Sequence, residues 1–169
     1  MTATDAKTRL NRLTARAMRV LALRDHSEAE LRRKMALAAQ RASSDAGQDA
    51  ASGPSDEEIE QVIAWCYQHN FLDDGRFTER FIAGRSRKGY GPQRIRMELG
   101  QKGIDRQLID AALADCGIDW TQRAADLAWR RFGQPLPQEW KEKAKVQRYL
   151  LTRGFFMEDV QGIFRNFDN

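Results

Sequence analysis

Apolar residues recur at helical spacing along nearly the whole of this 169-residue chain, and the pattern returns at an offset of about fifty residues. The middle of the chain shows the grammar best. A helix carrying Phe77, Phe81 and Ile82 ends near Arg85, and the run "SRKGYGP" follows, in which Gly89, Gly91 and Pro92 break helical geometry. Pro92 suits the first turn of a second helix that presents Ile95 and Leu99 on one face, and Gly103 stands where a left-handed stop is wanted. Asp105 then caps a third helix that buries Leu108, Ile109, Ala112 and Leu113.

Laying Gly154 on Gly103 repeats this order at an offset of 51 residues: Val146 and Leu150 match Ile95 and Leu99, Phe155 matches Ile104, and Val160, Ile163 and Phe164 match Ile109, Ala112 and Leu113. Towards the amino terminus the match is looser. Leu31 and Met35 fall on Ile95 and Leu99 at an offset of 64, while Ile59, Val62 and Ile63 fall on the third-helix positions at an offset of 50. An insertion of about a dozen residues is therefore expected between the second and third helices of the first copy. It is visible as residues 43–55, "SSDAGQDAASGPS", which has no large apolar side chain to offset the entropy of ordering and predicts a loose acidic loop. Ser55 with Glu58, and Ser27 with Glu30, are capping-box pairs for the flanking helices.

These signals predict an all-α fold without strands: three tandem three-helix repeats over 14–70, 71–118 and 119–169, stacked as an elongated or curved array in which each repeat contacts chiefly its neighbours. Straight-chain residues dominate and proline is scarce, with four in the chain, which agrees with helices throughout. The amino terminus is polar and no apolar span is long enough to cross a membrane, so a cytoplasmic protein without membrane association is expected. Cys66 and Cys116 lack any CxxC or metal-ligand spacing and read as buried, reduced thiols.

The net charge of +4 conceals strong blocks. Residues 1–41 carry 10 basic and 4 acidic groups, 42–74 carry 8 acidic groups and no basic one, and 75–103 carry 8 basic and 2 acidic. Separate charged faces of this kind suit a polyanion or an acidic protein groove.

The segments "LALRDHSEAELRRKM" (21–35), "FLDDGRF" (71–77), "RKGYGPQRIRMELGQKGI" (87–104) and "RYLLTRGF" (148–155) together resemble the RecX family, bacterial regulators of the RecA recombinase. The resemblance runs from about residue 14 to the end, and the long acidic loop is this chain's departure from the family pattern. It implies a non-enzymatic protein that binds the RecA–single-stranded-DNA filament along its groove and limits filament growth, ATP hydrolysis and strand exchange; a monomer is expected. Weak binding to single-stranded DNA, and to double-stranded DNA, is implied as well.

No constellation in the sequence supports catalysis, a metal site or a cofactor. His26 and His69 have no triad-like partners, and Asp73 and Asp74 read as caps of the helix bearing Phe77 rather than as metal ligands. The binding candidates are basic. Arg85, Arg87, Lys88, Arg94, Arg96 and Lys102 gather around the loop that holds Tyr90, where guanidinium forks fit phosphate or carboxylate and a tyrosine between glycines can stack on a base or enter a protein pocket. The competing reading is a solvated helix face with Tyr90 folded inward. Arg24, Arg32, Arg33 and Lys34 form a matching set in the first repeat, and Arg148 and Arg153 continue the series in the third. Trp65, Trp129, Trp140, Phe132 and Phe155 are expected in the core. A rival function, a general DNA-binding protein whose second helices act as helix-turn-helix readers, predicts a repeated base-reading face; the corresponding positions differ among the three repeats.

Overall fold

A computed structural model describes residues 3–45 and 54–166, and every regular element among them is a helix. In chain order these are α1 (Ala3–Leu23), α2 (Glu28–Asp45), α3 (Asp56–Gln68), α4 (Asp74–Arg87), α5 (Pro92–Gln101), α6 (Arg106–Asp115), α7 (Trp120–Phe132), α8 (Trp140–Thr152) and α9 (Met157–Asn166). None of the described helices is long and apolar enough to cross a membrane. The chain divides into two compact units, Met1–Phe77 and Thr78–Asn169, with the boundary inside α4.

The first unit closes α1, α2 and α3 around Leu13, Ala17, Leu31, Met35, Ile59, Val62, Ile63, Cys66 and Leu72. Both expected capping boxes hold its helix starts. The Ser27 hydroxyl accepts the Glu30 amide at 3.2 Å while the Glu30 carboxylate accepts the Ser27 amide at 3.2 Å, and Ser55 and Glu58 make the reciprocal pair at α3. Helix α1 begins at Ala3, and Leu10, Leu13 and Ala17 keep one apolar stripe on its core side. Helix α2 runs to Asp45, three residues into the expected loop, and Ser55 is the cap of α3; the rest of that loop, 46–53, lies outside the described residues.

In the second unit Ile82, Ile95, Leu99, Ile104 and Ile109 are buried, and a larger cluster of Ala124, Ala125, Ala128, Leu136, Val146, Leu150, Phe155, Val160, Ile163 and Phe164 is packed by α7, α8 and α9. Pro92 is the first residue of α5, and Gly103 and Gly154 both adopt positive φ after their helices, at 76° and 98°. The register read from the sequence is therefore real: Ile95, Leu99, Val146 and Leu150 all have no exposed surface. Helix α6 is the looser copy. Ile109 is buried, but Leu108, Ala112 and Leu113 are half-buried where the sequence predicts full burial, while their α9 counterparts Ile163 and Phe164 are buried. Two further expectations fail locally. Trp140, at the first turn of α8, is 77% exposed, and Cys116 is half-buried with its thiol on the Leu113 carbonyl at 3.1 Å. Trp140 stands ahead of Val146 and Leu150, the residues of α8 that reach the core.

Candidate polyanion-binding surface

Two glycines dictate how the basic loop is held. The Gly91 amide donates to the Arg153 carbonyl at 2.8 Å and the Gln93 amide to the Gly154 carbonyl at 2.9 Å, so the start of α5 rests on the end of α8. A Cβ on Gly91 would lie 2.5 Å from the Gly154 carbonyl oxygen, and one on Gly154 would lie 2.7 Å from the Arg94 backbone nitrogen. Only glycine permits this backbone approach at either position.

The contact carries Arg153 to Tyr90. The guanidinium carbons of Arg85, Arg94 and Arg153 stand 3.9, 4.5 and 5.0 Å from the Tyr90 ring centroid, within the range of cation–π attraction. Three like charges around one ring repel, and a carboxylate shared by two of them relieves part of this. Glu98 accepts from Arg85 Nε at 2.8 Å and Nη2 at 2.7 Å, and from Arg94 Nε at 3.1 Å. Burial raises the Glu98 carboxyl pKa, but the hydrogen bonds from Arg85 and Arg94 outweigh it and hold the group below the ordinary value. The half-buried Tyr90 thus gives its ring to arginines, which leaves less of its face for a base. Arg153 also lies 5.6 Å from the Tyr149 ring and has no carboxylate partner among the described residues. Arg87, Lys88 and Arg148 are exposed, and they likewise lack an ion-pair partner among the described residues.

The remaining candidates are more committed. Arg96 pairs with Asp110 across α5 and α6, and Lys102 lies 5.7 Å from the Phe81 ring at the end of α5. In the first unit Arg24 binds Glu30 at 2.7 Å and the Asp25 carbonyl at 2.8 Å, and Arg32 pairs with Glu60 and, at 3.8 Å, with Glu28. Arg33 lies on the exposed face of α2. The Lys34 ammonium meets His26 Nε2 at 2.7 Å. An ammonium can only donate, so Nε2 accepts, and the proton sits on Nδ1, which donates to the Arg24 carbonyl at 2.9 Å. Burial is the main cause that pushes the His26 pKa down; the hydrogen bond to the Arg24 carbonyl opposes it, and the charges of Arg24 and Lys34 add to it. The paired carboxylates also separate: Asp73 caps α4 through the Arg76 amide at 3.0 Å, whereas Asp74 accepts the Glu28 amide at 2.8 Å and so caps α2.

Sequence reasoning missed Glu98. Its spacing of four from Arg94 was visible, but its bidentate grip on Arg85, thirteen residues away, depends on the α4–α5 turn.

Comparison with known proteins follows the same segments. Residues 73–113 match the family described as RecX, second three-helix domain, and residues 119–164 match RecX, third three-helix domain. Relatives named Regulatory protein RecX are 55% identical in Cronobacter sakazakii, over 98% of both chains, and 58% identical in Serratia proteamaculans, over 94% of this chain and 99% of that one. The crystal structure of RecX from Lactobacillus salivarius shares the fold, with a TM-score of 0.75 at 19% identity over 96% of this chain and 98% of that one.

Proposed function

The chain belongs to the RecX family, and from that premise we propose that it is a non-enzymatic regulator of the RecA recombinase. It binds the RecA–single-stranded-DNA filament as a monomer in the cytoplasm and limits ATP hydrolysis, filament extension and strand exchange. The observation that supports this reading is the cluster around Tyr90. Arginines from α4, α5 and the end of α8 are held together, while Arg87, Lys88, Arg148 and Arg153 keep charge that no carboxylate in the described chain neutralises. A surface of this kind attracts an acidic or phosphate-lined groove by charge, and the glycine contact keeps it from rearranging on binding.

The general DNA-binding reading is weaker. A helix-turn-helix reader needs side chains free to reach base edges, and on α5 Arg94 is held by Glu98 and Arg96 by Asp110.

Titrating the protein into a DNA-dependent RecA ATPase assay tests the proposal. The parent is expected to suppress hydrolysis, and a variant with Arg87, Lys88 and Arg153 changed to Ala is expected to need a higher concentration, with a weaker dependence on salt. Suppression by the variant equal to the parent at every salt concentration would remove the Tyr90 surface from the interface. No suppression by the parent would reject the function itself.

A further inference from the structure

Helix α1 carries a basic stripe ahead of the apolar positions that recur from repeat to repeat. Arg9, Arg12, Arg16 and Arg19 follow one another at spacings of three, four and three residues, which places them on one face of a helix 21 residues long. The core side of the same helix is occupied by Leu10, Leu13, Ala17, Val20 and Leu21. Arg12, Arg16 and Arg19 are exposed, and none has an ion pair or hydrogen-bond partner among the described residues. In contrast, other arginines of this unit are neutralised: Arg9 by Glu58 at 3.0 Å, Arg24 by Glu30, and Arg32 by Glu60. Asp5 is the sole acidic residue of α1.

We propose that this stripe is a site for the phosphodiester backbone of single-stranded DNA, gripped without regard to base sequence. From Arg12 to Arg19 the helix rises about 10 Å, comparable to the screening length at moderate salt, so the three charges act on a polyanion as one field. Guanidinium forks suit phosphate oxygens. A protein partner is less well served, because a stable protein interface is built on a buried apolar centre. Around the stripe the exposed residues Thr8, Asn11 and Ala15 are polar or small, and the exposed apolar residues of α1, Met18 and Leu23, stand apart from each other rather than forming one apolar centre. The site rests on the DNA contact that the family reading implies and gives it a location, and its test on DNA alone can fail without touching the filament reading.

The test is fluorescence anisotropy of labelled oligothymidylate titrated with the full-length protein at several salt concentrations, without RecA. Changing Arg12, Arg16 and Arg19 together to Ala is expected to weaken binding about tenfold at low salt and to reduce the slope of log affinity against log salt by about 2, for three lost phosphate contacts. The corresponding triple change to Lys keeps the charge and is expected to retain most of the slope. Circular dichroism verifies that both variants remain helical. The site is overturned if the Ala variant keeps the parental affinity and slope, or if the Lys variant loses as much as the Ala variant. It is also overturned if the Ala variant binds the oligonucleotide normally but loses suppression of the RecA ATPase, which would make the stripe a protein contact.

Discussion

The basic corner of the first unit and the basic loop of the second are of similar composition, yet they use their charges in opposite ways. At the first, Arg24 and Arg32 tie helices to their neighbours through Glu30 and Glu60, and Lys34 is hydrogen-bonded to a buried imidazole. At the second, one glutamate holds two arginines beside a tyrosine, while Arg87, Lys88 and Arg153 have no ion-pair partner among the described residues. A count of cations therefore says little about which of them a partner can reach. Availability is decided by the carboxylates that the fold brings alongside.

The sharpest way to break this contrast is to separate the loop from its support. Gly154→Ala forces a Cβ against the Arg94 backbone at a residue with φ of 98°, and is expected to cost about 3 kcal/mol or more, read by thermal unfolding. Gly117→Ala, also at positive φ but with open space around it, is the control and should cost about 1 kcal/mol. Equal losses at the two sites would show that conformation, and not the close approach, governs Gly154.

Glu98→Gln removes the charge that gathers Arg85 and Arg94, and is expected to cost about 1–2 kcal/mol because a half-buried carboxylate with three charge-assisted bonds is lost. Since the folded pKa of Glu98 is lowered, its contribution is complete above the ordinary carboxyl range and disappears as pH falls through the folded value. Urea unfolding between pH 6 and 3 should therefore show a shallower acid decline in the variant than in the parent.

In the first unit the sensitive group is His26. Its folded pKa is lowered, so the unfolded chain binds the proton first, and stability should decline as pH drops below about 6.5, the ordinary histidine value. His26→Gln, which can still donate to the Arg24 carbonyl and accept from Lys34, is expected to flatten that decline between pH 7 and 5.5. An unchanged profile would move the titration elsewhere. The smallest effect belongs to Arg32→Ala, whose ion pairs are solvent-exposed and are expected to contribute under about 1 kcal/mol, with the loss shrinking further as salt is added.

Much of this was legible in the chain because it is local. Capping boxes, the proline at the start of α5, glycines after α5 and α8, and the apolar register all act over a few residues, where backbone geometry and periodicity leave little choice. By itself the sequence determined that the protein is built of helices, where most of them start and stop, and most of the apolar residues that face the core. The tertiary structure alone decided which charges are available. Glu98 reaches Arg85 across a turn, Arg153 reaches Tyr90 only because two glycine backbones touch, and Asp74 caps α2 rather than its own helix. Ion pairing depends on distances of a few ångströms between groups far apart in the chain, and periodicity along one helix carries no information about what a neighbouring helix sets opposite it.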